Sequence, residues 1–381
     1  MRNFRSKRFS ANLWLAGFAL AVSLLCPASD GPWTTQRANN WHSRQPFLVG
    51  SNFIPSTAIN QLEMWQADSF DLPAIDRELE WAESLDMNTM RVFLHSLLWQ
   101  QDSAGFLKRM DQFLAVSEKH PVRIMFVLLD SVWDPHPHLG KQREPRPHVH
   151  NSGWVQAPAA ELLKDPSLWN QELKPYVVGV ISHFRDDRRV LIWDLMNEPD
   201  NDSPQCKHQE LARKAEVALR LLERGWKWAR STHPSQPLTR GVWKGDWSDT
   251  GLSALARFQL ENSDVITFHC YDPPDAIKKR IASLRRFQRP VICTEYMARP
   301  LGSTFAAILP ILKQERVGGY NWGFASSKTQ TIDPWDSWEK AYGGEPPLWF
   351  HDTLRNDGTP YNPRETQFIK QVTESAAANR P

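Results

Sequence analysis

The chain has 381 residues, 41% of them hydrophobic and 23% charged, with a formal net charge of +2. A large core is within reach, and although this length can hold two domains, α/β barrels of about 200 to 400 residues form one. The nearly balanced charge, with no Lys/Arg stripe interleaved with aromatics, argues against a nucleic-acid partner.

The N-terminus reads as a targeting segment. Arg2, Arg5, Lys7 and Arg8 form a basic start, Ala11 to Leu25 an apolar stretch, and Cys26-Pro27-Ala28 a small-residue cleavage site. Residues 1–28 are therefore expected to be a signal peptide and the protein secreted or periplasmic, with an uncleaved anchor as the alternative. The apolar stretch is short for a membrane span, and no later run is long enough, so no stable span is expected after removal of the signal. Residues 29–45 read as a polar, irregular segment.

From there the chain alternates short apolar runs with helical periodicity, the pattern of βαβ units around a parallel sheet. Eight near-continuous apolar runs read as buried strands: Phe47–Phe53, Thr89–Leu94, Val122–Leu129, Val190–Leu195, Leu238–Trp243, Val265–His269, Val291–Thr294 and Gly318–Trp322. Amphipathic segments alternate with them at Leu72–Leu85, Phe106–Ser117, Ser167–Phe184, His208–Arg230, Gly251–Leu260, Asp275–Phe287, Phe305–Gln314 and Pro363–Val372. Eight and eight in strict alternation predicts a (β/α)8 barrel over residues 46–375, followed by a disordered tail over 376–381. No glycine-rich phosphate loop follows the first run, which weakens a nucleotide-binding alternative. Two long connections, Ser131–Pro166 and Gly323–Asn362, follow the third and eighth runs, so a barrel places them on its C-terminal, active-site face.

Two carboxylates directly follow apolar runs. The fourth run leads into Asn197-Glu198-Pro199 and the seventh into Thr294-Glu295-Tyr296. On a closed barrel both face one cleft from opposite sides, the arrangement that cleavage of a glycosidic bond requires. The eighteen tryptophans fit core packing and the stacking of sugar rings alike. The loop after the third run carries Trp133, Asp134, His136, His138, His148, His150 and Trp154; His150 and Trp154 are candidate sugar contacts. Its two His-x-His pairs lack a fixed geometry and an obvious acidic partner, so no metal and no cofactor are expected. Trp243, Trp247, Trp335 and Trp338 are further candidates for lining the cleft, and Asp130 for holding sugar hydroxyls. Arg91, a charge inside an apolar run, needs a buried partner. Cys270 and Cys293 read as buried apolar side chains; with Cys206 they make an odd set once the signal is removed, which disfavours a bridge.

These features resemble the glycoside hydrolase clan A superfamily, most nearly its family-five, cellulase-like branch, from about Phe47 to Val372. The resemblance rests on Asn197-Glu198-Pro199 and on Glu295 three strands later. It implies a retaining glycosidase with Glu198 as acid/base and Glu295 as nucleophile. It further implies that Asn197 binds the sugar 2-hydroxyl and that Arg91 holds the Glu295 carboxylate and keeps it ionised. His269-Cys270-Tyr271 is similar to the family's His-x-Tyr, in which the His contacts the sugar or the acid/base and the Tyr hydrogen-bonds the nucleophile. Trp322 becomes the floor of the subsite for the sugar being cleaved. The substrates implied are β-linked glucans, mannans or xylans, with soluble oligosaccharides expected ahead of crystalline polymers because recognition falls to the barrel loops. Three alternatives stand beside this reading. A non-catalytic carbohydrate-binding barrel should lack one of the two carboxylates, and a transglycosylase would use the same pair. A barrel metal hydrolase needs a His-x-His where Gly50-Ser51-Asn52 stand. The sequence carries no signal of oligomeric state.

Overall fold

The computed structural model describes Met1 and residues 31–377, except Lys207, Asp246 and Asp249. The signal-peptide reading of residues 1–28 and the last four residues of the tail fall outside the described part.

The eight apolar runs form one parallel sheet: β1 (Val49–Phe53), β2 (Thr89–Phe93), β3 (Arg123–Val127), β4 (Val190–Asp194), β5 (Leu238–Thr239), β6 (Ile266–His269), β7 (Val291–Tyr296) and β8 (Gly318–Asn321). β1 pairs with both β2 and β8. Between β5 and β6 the ring closes through a single parallel bridge from Val242 to Phe268. There the Val242 N–H donates to Thr267 O, and the His269 N–H to Val242 O, at 3.0 Å each. The fold is thus the expected (β/α)8 barrel.

Twelve α-helices surround it among the described residues: α1 (Thr35–Ser43), α2 (Gln61–Trp65), α3 (Leu72–Ser84), α4 (Ser96–Lys119), α5 (Ala160–Lys164), α6 (Trp169–Glu172), α7 (Lys174–Phe184), α8 (Lys214–Arg230), α9 (Ala254–Asn262), α10 (Pro274–Arg285), α11 (Phe305–Gln314) and α12 (Pro363–Ala377). Local chemistry sets their starts. The side chains of Asp71, Ser253 and Thr304 accept the free N–H groups of the first turns of α3, α9 and α11. Their apolar faces meet the outer faces of the strands in one large core that includes Trp65, Trp169 and Trp193.

Several sequence-based expectations need correction. Residues 29–45 are not irregular throughout: α1 is capped by Thr34 and buries Ala38 and Trp41. Trp33 and Trp41 close the bottom of the barrel against Leu48, Leu191, Ile192, Val265 and Ile292. The Trp33 N–H donates to Asp264, which also pairs with Arg230 at 2.6 Å. The Ser167–Phe184 helix is two, broken at Leu173 ahead of Pro175. The helix predicted from His208 begins only at Lys214. The one predicted from Phe106 begins at Ser96 and kinks at Asp102, whose carboxylate caps the Gly105 N–H. β5 ends at Thr239 rather than Trp243, while β7 runs on through Glu295 to Tyr296. The last helix continues to Ala377, past the predicted start of the tail. Cys206, Cys270 and Cys293 are all free. No helix among the described residues is long and apolar enough to cross a membrane.

Candidate active site

The two carboxylates arrive at the same place by different routes. Glu198 stands four residues beyond β4, where a φ of 40° turns the chain sharply; the Ser131 hydroxyl, from the loop after β3, holds its carbonyl at 2.8 Å. Glu295 lies within β7. Between β6 and β7 the register slips, so that Phe268 pairs with Cys293 but His269 pairs with Glu295. Such an irregularity re-aims a side chain at a barrel rim. Here it sets Glu295 beside His269, and one donor atom each from Glu198, His269 and Glu295 lie within 4.8 Å of one another.

Both carboxylates are fully engaged. Glu198 Oε1 lies 2.8 Å from His269 Nδ1, and Oε2 accepts from Asn201 Nδ2 at 2.6 Å. Glu295 Oε1 accepts from Arg91 Nη1 at 2.9 Å and Oε2 from the Tyr271 hydroxyl at 2.7 Å, with His269 Nδ1 at 3.4 Å. Arg91 is 1% exposed and serves several partners. It also donates to Asp194, Asn52 and Asn197. The Asn197 amide is thereby fixed: Oδ1 accepts from Arg91 at 2.8 Å and Nδ2 donates to Asp130 Oδ1 at 3.0 Å. Asp130 in turn accepts from the Trp154 indole N–H at 2.6 Å. Trp154, Asp130, Asn197, Arg91 and Glu295 thus form one continuous polar chain.

Burial pushes Glu198 up to about 7, against the Asn201 hydrogen bond and the charge of Arg91, both of which favour its ionised form. Burial also raises Glu295; His269, Arg91 and the Tyr271 hydroxyl pull it back. The expected lowering by Arg91 is present but is outweighed by desolvation. Because burial brings His269 down to about 4, its ring is neutral near pH 7, and the pull on Glu295 then falls to Arg91 and Tyr271. Burial and the neighbouring Glu295 raise Tyr271 well above its usual range, so it remains a donor. Burial works against the charge on Arg91, but Asp194 and Glu295 more than offset it. Asp130 is pushed up to about 6 by burial.

The carboxylates open into a cleft of about 520 Å³ whose wall includes His269, Tyr271, Trp322, Asn197, Trp243 and Trp335. The structure brings together Glu198, Glu295, Asn197, Arg91, His269, Tyr271, Trp322 and Trp154. His150 belongs to the cleft wall, but its ring is buried, with Nδ1 bonded to the Asp333 carbonyl at 2.8 Å. Of the four further tryptophans, Trp243 and Trp335 line the cleft. Trp247 is buried against Phe268, and Trp338 packs on Trp133 behind the wall. Asp130 is a buried anchor for Asn197 and Trp154. Sequence reasoning missed Asp194, Asn52 and Asn201. Asp194 carried a usable signal, because a second buried charge in an apolar run is the natural counterpart of Arg91.

Glu198, His269 and Glu295 are also the group among the described residues whose donor atoms converge closely enough for a metal ion. The set fits a metal poorly. Each carboxylate oxygen already has a hydrogen-bond partner, and Arg91 places a fixed positive charge against Glu295.

No protein-family model and no curated protein matches the sequence. Solved structures match the fold. An exo-β-1,4-mannosidase from Opitutaceae bacterium strain TAV5 has a TM-score of 0.59 at 20% identity, over 87% of this chain and 60% of that one. An endo-β-1,4-mannanase from Thermotoga petrophila has a TM-score of 0.56 at 13% identity, over 89% and 79%. A glycoside hydrolase family 5 mannosidase from Rhizomucor miehei has a TM-score of 0.51 at 14% identity, over 88% and 94%. The chain thus shares the (β/α)8 fold of these mannosidases and this mannanase.

Proposed function

We propose that this protein is a retaining β-glycoside hydrolase. The observation that carries the reading is the convergence of Glu198 and Glu295, with one oxygen of each within 4.8 Å, in a cleft of about 520 Å³ lined by Trp243, Trp322 and Trp335. Carboxylate oxygens this close suit attack by one of them on the anomeric carbon, whereas inverting enzymes hold their carboxyl groups about 6.5 Å or more apart to seat a water. Glu198, pushed up to about 7, carries the proton for the leaving oxygen. Glu295, held by Arg91 and Tyr271, attacks the anomeric carbon as the bond to that oxygen breaks, giving a glycosyl ester. Esterification removes the negative charge of Glu295. Glu198, now ionised, takes a proton from water, whose oxygen attacks the anomeric carbon, and Glu295 leaves as the carboxylate. Asn197, oriented by Arg91 and Asp130, is placed to bind the 2-hydroxyl, and Trp322 offers an apolar face to the ring.

The named activities of the structural neighbours put β-mannosides first in a panel that also holds β-glucosides and β-xylosides. The test compares wild type with Glu295→Ala and Glu198→Ala, with and without azide. Turnover by wild type alone, with azide giving an inverted glycosyl azide in Glu295→Ala and a retained one in Glu198→Ala, supports both roles. The opposite products would exchange the roles; unimpaired turnover by Glu295→Ala would place the nucleophile elsewhere. Export through the N-terminal segment belongs to the same proposal. N-terminal sequencing of the mature protein should begin at Ser29; a chain that retains Met1 would refute cleavage and leave the uncleaved anchor.

A further inference from the structure

The loops after β3 and β8 interlock rather than stand apart. The Asn151 N–H donates to Thr329 O at 2.7 Å, and the His150 N–H to Ser337 Oγ at 2.9 Å. The Trp338 indole donates to His150 O at 2.8 Å, and Trp133 stacks on Trp338 with centroids 5.4 Å apart and planes at 19°. Trp335, from the second loop, packs edge-on against Tyr271 at 5.1 Å. The two loops therefore make one wall standing over the nucleophile side of the cleft.

Behind that wall, among the described residues, the space next to the cleft is too small for a second sugar. Beyond Trp154 and Trp322, between Phe93 and Phe324, the free space is about 20 Å³. That volume holds about one water molecule. The other end differs. Past Glu198 and Asn201 the cleft runs out along Trp243 and Lys244. The Lys244 side chain is 45% exposed, and a further hollow of about 270 Å³ continues on the far side of Trp243.

The chemistry gives the two ends direction. A proton donor sits beside the leaving oxygen, so the leaving group lies on the Glu198 and Trp243 side. The sugar that becomes esterified lies on Trp322 beside Glu295, against the wall. We infer, resting on the glycosidase reading above, that the cleft is blind at the non-reducing end and that the protein is an exo-glycosidase, releasing one terminal sugar per event. In each event the glycosidic C–O bond breaks, the released sugar takes the oxygen of water, and the shortened chain takes the proton from Glu198.

The test uses β-1,4-mannopentaose and β-1,4-glucopentaose labelled at the reducing end, together with aryl β-glycosides of single sugars. The expected first products are free monosaccharide and a labelled chain shorter by one residue. Blocking the 4- and 6-hydroxyls of the non-reducing sugar as an acetal should slow cleavage about 100-fold or more, the order of loss that misplacing a substrate by an ångström brings. Disaccharide or mid-chain fragments as first products, or undiminished cleavage of the blocked chain, would overturn exo action while leaving a glycosidase. No cleavage of any labelled chain or aryl glycoside would overturn the glycosidase reading itself.

Discussion

Arg91 reaches Glu295, Asp194, Asn52 and Asn197 from the middle of β2, and the rest of the site is arranged around it. Its need for a buried partner was legible from its place in an apolar run. Asp194, a second charge in an apolar run, offered itself as a counterpart; that it shares Arg91 with Glu295 was not legible, because pairing across a barrel depends on which side chains point inward at the same height. Glu198 offers the most direct check on the electrostatics. Its proton is held up to about 7 by burial, so the competent, protonated form persists below that pH and is lost as pH rises through it. The alkaline limb of kcat/KM on a substrate with a poor leaving group should therefore fall near pH 7. Asn201 donates to Glu198 Oε2 and favours the ionised form. Asn201→Ala should move that limb to higher pH; an unmoved limb would mean that another group sets it.

Among the elements, the barrel strands were the most legible, since burial on both faces leaves continuous apolar runs. β5 was overread because Arg240 and Gly241 follow Thr239, and the Arg240 side chain turns outward to lie over Trp226 and Phe258. The grip between the two long loops left no local mark at all: His150 and Ser337 are 187 residues apart in sequence. α1 escaped notice for a related reason. It buries little beyond Ala38 and Trp41, too few apolar positions to show a period. Its contribution is nonetheless large, because Trp41 fills the floor of the barrel. Trp41→Ala should cost about 3 kcal/mol in denaturant unfolding, the usual loss for emptying a buried tryptophan site. The kcat/KM of the folded protein should not change, because the site lies at the other end of the strands. A matching fall in kcat/KM would show that the floor and the cleft are coupled.

At the scale of the whole molecule, buried acids and buried histidines pull stability in opposite directions with pH. Burial raises Glu78, Glu198 and Asp352 to about 7 and lowers His42, His95, His150 and His269 to about 4. For Glu78 the folded chain keeps a proton that the unfolded chain gives up around its ordinary value of 4.5. Its contribution is therefore full below about 4.5 and is lost as pH rises through 7. The histidines have the reverse sign, contributing fully above their ordinary value of 6.5 and losing it as pH falls through about 4. Between pH 4.5 and 7 the two sets offset each other. Glu78→Gln removes one acid from the balance. Its stability relative to wild type should improve by up to about 3 kcal/mol between pH 5 and pH 8, read from denaturant midpoints. A constant difference between the two proteins would mean that Glu78 is ionised throughout.

The floor formed by α1 also fixes a direction in space. Trp33 is bonded to Asp264 just ahead of β6, and Asn39 to the Gln288 carbonyl just ahead of β7, so the chain enters at the closed end of the barrel. The cleft opens at the opposite pole. A tether, fusion partner or solid support joined ahead of Gly31 therefore leaves the mouth facing away from the point of attachment. A chain moored by that end would sweep the surrounding medium with its open face, so immobilisation through the N-terminus leaves the mouth of the cleft unobstructed.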